Sequence, residues 1–119
     1  MKNYKELLVW QKAMDLAAEV YKVVQMLPKE ELYAMSSQLR RASVSIPSNI
    51  AEGNARNSTK EYIQFLSIAR GSNSEVETQL LLCQRLCLLR ESEIMPALAL
   101  CEEIGKMLNA LIKRLGIRD

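Results

Sequence analysis

The sequence predicts an all-α fold, an antiparallel up-down-up-down four-helix bundle whose second helix is kinked at Pro47. Three observations carry this reading. Apolar residues recur at steps of three and four through most of the chain, which is the spacing of one helix face. Proline and polar clusters interrupt that rhythm at three places, too closely spaced for long connections. No stretch sustains the alternation of a half-buried strand. With 119 residues, 49% of them apolar, one core can be built but not two, so residues 1–119 are read as a single domain.

Between Glu6 and Leu27 the stripe is Trp10, Ala13, Ala17, Val20, Val24 and Leu27. Pro28 cannot continue a helix, and the acids Glu30 and Glu31 suit the positive end of the next one. Helix 2 is placed from about Glu31–Tyr33, with Leu32, Met35, Leu39, Ala42, Ile46, Ile50 and Gly53 on its stripe. Pro47 lies inside it and removes the amide that would bond the Ser43 carbonyl, a cost of about 3 kcal/mol in a helix interior. The stripe keeps its phase across Pro47, which favours one kinked helix over a break at Ser45–Ile46 with Pro47 in a first turn.

Asn54 to Asn57 ends helix 2. Ser58-Thr59-Lys60-Glu61 then matches a capping box, in which Ser58 accepts from the Glu61 amide and Glu61 answers the Ser58 amide. Helix 3 carries Tyr62, Phe65 or Leu66, Ala69, Ser72, Val76, Leu80, Cys83 and Cys87, and extends to about Leu89. Gly71 to Ser74 reads either as a place of close helix approach or as a local break capped by Ser74 and Glu77. Ser92 is the expected cap of helix 4, with Pro96 in its first turn. Leu100, Ile104, Leu108, Leu111 and Leu115 form the last stripe, and Gly116-Ile117 resembles a glycine C-cap.

Composition excludes more chemistry than it offers. The chain has no histidine, which removes Ser-His and Cys-His catalysis, His-containing zinc sites and the Glu-x-x-His pairs of di-iron bundles. Cys83, Cys87 and Cys101 are an odd number without framework spacing. They read as reduced thiols in the core rather than as ligands, since no fourth ligand accompanies them. Glu30/Glu31 and Glu102/Glu103 diverge around their helices and read as solvated faces, not acid–base couples. No catalytic residue, metal site, cofactor or small-molecule substrate is expected. The N-terminus lacks the apolar run of a signal peptide and no stretch approaches the roughly 20 residues of a membrane span, so the expected location is the cytoplasm, with no membrane contact.

Charge is unevenly distributed. The net charge is +2, and residues 32–60 carry Arg40, Arg41, Arg56 and Lys60 against Glu52 alone. Placed together, these four cations could contact phosphates in a manner indifferent to base sequence. The competing assignment pairs Arg40 with Glu52 or another acid and leaves Arg41 solvated. Ser48, Asn49 and Glu52 follow the proline and are polar for a bundled helix; they either bond carbonyls loosened by Pro47 or meet another subunit. Tyr4, Trp10, Tyr62, Ile63 and Phe65 exceed what one narrow stripe buries, which points to self-association.

Gln38-Leu39-Arg40-Arg41-Ala42, then Ser45-Ile46-Pro47-Ser48-Asn49-Ile50-Ala51-Glu52-Gly53, then Arg56, Ser58, Lys60 and Glu61 form a pattern that strongly resembles the 23S ribosomal RNA intervening-sequence proteins. LVWQKAMDLAAEVYKVV and IGKMLNALIKRL extend the resemblance over nearly the whole chain. It departs at QLLLCQRLCLL, where relatives more often have a Gly-Tyr-like turn. The resemblance implies a bacterial homo-oligomeric four-helix bundle, a pentameric ring, with no catalytic residues assigned. Related accessory proteins of diversity-generating retroelements work beside a reverse transcriptase and nucleic acid, so RNA or another nucleic acid is the implied partner. A protein-interaction scaffold without nucleic acid is the alternative.

Overall fold

The computed structural model describes residues 3–118 and contains α1 (Leu8–Val24), α2 (Met35–Asn54), α3 (Thr59–Arg85) and α4 (Glu91–Arg118). Single 3-10 turns at Tyr4–Glu6 and Lys29–Glu31 precede the first two helices, and no strand occurs among the described residues. At a rise of 1.5 Å per residue α4 is about 42 Å long, and the molecule measures 46 × 22 × 20 Å. The rods therefore lie side by side along one axis. Each helix packs on the next and α4 returns to α1, while α1/α3 and α2/α4 make no close backbone approach among the described residues. Gln38 on α2 meets Gln79 on α3, and Ser45 meets Ser72, so numbers descend along α3 as they rise along α2.

The buried face of α1 is Val9, Ala13, Leu16, Val20, Val23 and Val24. Its centre lies one residue away from the predicted stripe: Trp10 and Ala17 are half-buried at the edge. A helix packed on two neighbours buries a wide face, and two adjacent lines of α1 fit the same period. Tyr4 meets Trp10 edge to face at 5.3 Å, which draws both into the fold.

α2 starts at Met35, later than predicted, because Lys29–Glu31 closes a separate turn and Ala34 at φ −119°, ψ −104° is not helical. Leu32 is consequently exposed and leaves the stripe. The Glu31 carboxylate accepts from the Met35 amide at 3.4 Å. From there α2 runs unbroken through Pro47, whose ring is buried; the alternative break at Ser45–Ile46 does not form.

At the start of α3 the Glu61 amide donates to Ser58 Oγ at 3.1 Å. The return contact differs from the predicted one, since the Ser58 hydroxyl, not its amide, meets the Glu61 carboxylate at 3.1 Å. α3 is continuous through Gly71–Ser74. A side chain at Gly71 would meet nothing within 4 Å, so neither a break nor a close approach explains this glycine, and Asn73 rather than Ser72 occupies the core position.

α3 stops at Arg85, short of the expected Leu89. Cys87 has φ +60°; its amide donates to the Gln84 carbonyl at 3.0 Å and the Leu88 amide to the Cys83 carbonyl at 2.9 Å. This is a Schellman closure with cysteine at the left-handed position that glycine usually fills. Cys87 is thus exposed, while Cys83 and Cys101 are buried. α4 starts at Glu91, so Ser92 lies inside its first turn and is not the cap; the Glu93 carboxylate accepts from the Arg90 amide at 2.8 Å, the return contact of a capping box. Pro96 accordingly sits in the second turn, not the first. The predicted glycine C-cap does not form: α4 continues through Gly116, and no described glycine has positive φ. Among the described residues no helix is long and apolar enough to cross a membrane.

Candidate nucleic-acid interface

The four basic residues singled out in the sequence fall at two places. Arg40 and Arg41 lie in the first half of α2, whereas Arg56 and Lys60 flank the α2–α3 turn, about 22 Å further along the axis at 1.5 Å per residue. The two groups are chemically unlike.

Arg56 is engaged. Its guanidinium pairs with Glu52 at 2.9 Å and lies 4.8 Å over the Phe65 ring, a stack worth about 0.5–1 kcal/mol at an exposed site. Glu52 therefore pairs with Arg56 and not with Arg40 as the competing assignment had it. The same end is held by Gly53, where an added Cβ would stand 2.7 Å from Phe65 Cβ and 3.0 Å from Tyr62 Cδ1. The absence of a side chain lets α2 and α3 close on each other there, and Asn54 Nδ2 donates to the Tyr62 hydroxyl at 3.3 Å. Beside these residues a cleft of about 340 Å³ gathers Arg56, Asn57, Thr59, Tyr62 and Arg114. Arg114 was missed because nothing in the chain links the far end of helix 4 to the helix 2–3 turn. Lys60 is exposed on the first turn of α3.

Arg40 and Arg41 are free of this kind of engagement. Arg40 is half-buried and Arg41 exposed, as their places beside the Leu39 stripe predict. Among the described residues neither makes an ion pair. Both line a cleft of about 420 Å³ between α1 and α2, with Tyr21, Ser37, Val44 and Ser45. Arg41 also borders a smaller hollow on the α3 side, of about 290 Å³, whose one acid is Glu75. Glu75 accepts from Gln79 Nε2 at 3.3 Å. Tyr21 was missed because it falls outside the α1 stripe, and an aromatic residue off the buried face was the available signal.

The polar residues after Pro47 do local work. Asn49 Nδ2 donates to the Ser45 carbonyl at 2.7 Å and to Ser45 Oγ at 2.9 Å, and Ser45 Oγ meets Ser72 Oγ at 2.8 Å. The carbonyl served is that of Ser45, not the Ser43 carbonyl that Pro47 leaves without an amide. Ser48 is exposed and Glu52 is taken by Arg56. Ser58 and Glu61 form the α3 cap.

Burial raises the Cys83 thiol to about 11 with a smaller push from Glu31, and the Cys101 thiol to about 12 with a smaller push from Glu77. At neutral pH both stay protonated, the form least suited to metal ligation or nucleophilic attack. No group of three or more Cys, Asp or Glu side chains is placed to hold a metal ion among the described residues. The apolar side chains left most open are not the predicted Tyr62, Ile63 and Phe65, which are half-buried, but others such as Leu8, Tyr33, Ile68, Leu86 and Met95.

The sequence profile of a family described as 23S rRNA-intervening sequence protein matches residues 5–110. A crystal structure of a protein of unknown function from the S23 ribosomal protein family, from Bacteroides thetaiotaomicron, is similar in fold with a TM-score of 0.83. The two sequences are 27% identical, and the similarity covers 89% of this chain and 99% of that one. No curated protein matches significantly.

Proposed function

The chain belongs to the 23S rRNA-intervening sequence protein family, and from that premise we propose that it is a non-enzymatic, homo-oligomeric protein of the bacterial cytoplasm that binds RNA or another nucleic acid. The observation carrying this is the contrast in partners: Arg56 is paired with Glu52, while Arg40 and Arg41 stand beside an open cleft with no ion pair among the described residues. Two unspent guanidinium groups are what a phosphodiester backbone rewards. Two cations per subunit are few, but a pentameric ring, implied by the resemblance, presents the pair five times to one polyanion, and linked weak contacts multiply into useful avidity. The bundle is taken as antiparallel up-down-up-down with α2 bent at Pro47, where the Ser43 carbonyl has lost its amide partner.

Binding to structured RNA measured at two salt concentrations, with Arg40, Arg41, Arg56 and Lys60 replaced in turn, tests this. Affinity that falls with salt and with the Arg40 and Arg41 replacements is expected; affinity indifferent to both would dismiss the proposal. Light scattering with the absorbance ratio of the purified protein reads subunit number and copurified nucleic acid together.

A second reading rests on the outer face of α3, where Thr78, Leu81, Leu82, Gln84 and Arg85 line an open hollow of about 610 Å³. Leu81 and Leu82 are both exposed, and such a surface suits a protein partner or a further subunit. Capture of one defined protein from lysate after nuclease treatment, with no nucleic acid bound, would favour this scaffold role.

A further inference from the structure

We propose that the α1–α2 cleft binds an unpaired nucleotide strand, with Tyr21 as the stacking platform for a base and Arg40 and Arg41 as the phosphate contacts. The inference rests on the nucleic-acid reading above and narrows it to single-stranded segments. Its starting point is a second contrast within the molecule. Cations lie over aromatic rings at two other places, Lys5 on Tyr4 at 5.9 Å and Arg56 on Phe65 at 4.8 Å. Tyr21 shares its cleft with two arginines, yet neither guanidinium covers its ring among the described residues. Tyr21 is 46% exposed and Val44 on the facing helix is 44% exposed.

The cleft thus joins an uncovered aromatic, an aliphatic wall and two unpaired cations in one hollow of about 420 Å³. Each part matches one part of a nucleotide. A base has an apolar face that stacks on an aromatic ring whatever its identity, and its phosphates take the guanidinium groups. In a duplex the base faces are already stacked on each other and cannot reach Tyr21, so a double strand would engage Arg40 and Arg41 alone. Discrimination between paired and unpaired strands follows from the ring, and salt dependence from the arginines. The hydroxyl of Ser37, half-buried at the same wall, is a further hydrogen-bonding group. Ser45 is already committed to Ser72 and Asn49.

The test is fluorescence anisotropy of the full chain with a labelled unpaired RNA oligonucleotide, the same sequence as a blunt duplex, and the unpaired DNA of that sequence. Tyr21→Ala, Tyr21→Phe and Arg40→Ala/Arg41→Ala are compared with the parent, each first shown to melt as the parent does. The parent should bind the unpaired strand more tightly than the duplex. Tyr21→Ala should lose about tenfold on the unpaired strand and nothing on the duplex, and Tyr21→Phe should keep the parent's affinity, since the ring supplies the stack. The arginine replacements should weaken both probes and flatten the salt dependence. Unpaired DNA should bind within a few-fold of the RNA, because this contact needs no 2′-hydroxyl; binding confined to RNA overturns the stack as the source of preference. An equal loss on both probes with Tyr21→Ala, or no loss on either, also overturns the stack while leaving salt-dependent binding and the broader function in place. A parent protein that binds none of the probes overturns both.

Discussion

The two ends of α2 use the same residue type for opposite purposes. At the C-terminal end, Arg56 is folded into the structure by Glu52 and Phe65, and Gly53 lets α3 approach to a distance no side chain would allow. Toward the N-terminal end, Arg40 and Arg41 lie beside an aromatic residue and an aliphatic wall and are tied to no acid among the described residues. Charge along a helix therefore does not identify a binding surface by itself. What separates the two arginine sites is whether neighbouring groups have already satisfied the cation.

The comparison can be broken first at its structural end. Gly53→Ala places a methyl against the Phe65 Cβ, which is fixed to the backbone, so the helices must part; a loss of about 1–3 kcal/mol is expected in chemical denaturation. Nucleic-acid affinity of the folded fraction should be unchanged. At the other end, Arg40→Ala/Arg41→Ala should weaken RNA binding about tenfold, near 1.4 kcal/mol, with stability altered by no more than about 0.5 kcal/mol. The arginine at the turn should behave in the reverse manner. Arg56→Ala is expected to cost about 1 kcal/mol of stability, from a cation–ring stack and an exposed i,i+4 pair, with a smaller effect on binding than the double replacement.

Away from both ends, Cys87→Gly relieves a left-handed backbone position outside either site. A gain of about 0.5–1 kcal/mol, read as a rise in Tm with RNA affinity constant, is expected. The smallest effect at neutral pH is that of the buried thiols. Their folded pKa values of about 11 and 12 lie above the ordinary 9.0, so the unfolded chain loses these protons first. Stability should hold below pH 9 and fall as pH rises from 9 toward 11–12. Cys83→Ala/Cys101→Ala, compared with its own neutral-pH baseline, should lose much of that slope.

Much of this molecule was legible before its tertiary structure. Leu39, Ala42, Ile46, Ile50 and Gly53 of α2 and Ile104, Leu108 and Leu111 of α4 are buried where their periodicity marks, and Ser58 caps α3 as its motif requires. The misplaced boundaries fall where local residue choice and observed conformation disagree. Ala34 and Cys87 stand at helix ends where other residues are usual, and Gly116 stands inside a helix where a glycine usually ends one, so local propensity pointed elsewhere. The site was less legible. Arg40 and Arg41 were marked by charge, but Tyr21 and Arg114 come from other helices and carry no local signal of convergence.

By itself, the sequence determined that four amphipathic helices form, where three of the connections fall, and that imidazole chemistry is absent. These are properties of periodicity and composition, which each segment carries alone. Once α2 is one continuous helix, Glu52 is an i,i+4 partner of Arg56 and about 18 Å from Arg40; the tertiary structure added which groups from other helices meet each cation. The close approach of α2 and α3 at Gly53 brings Phe65 under Arg56, whereas the hollow between α1 and α2 sets Tyr21 beside Arg40 and Arg41.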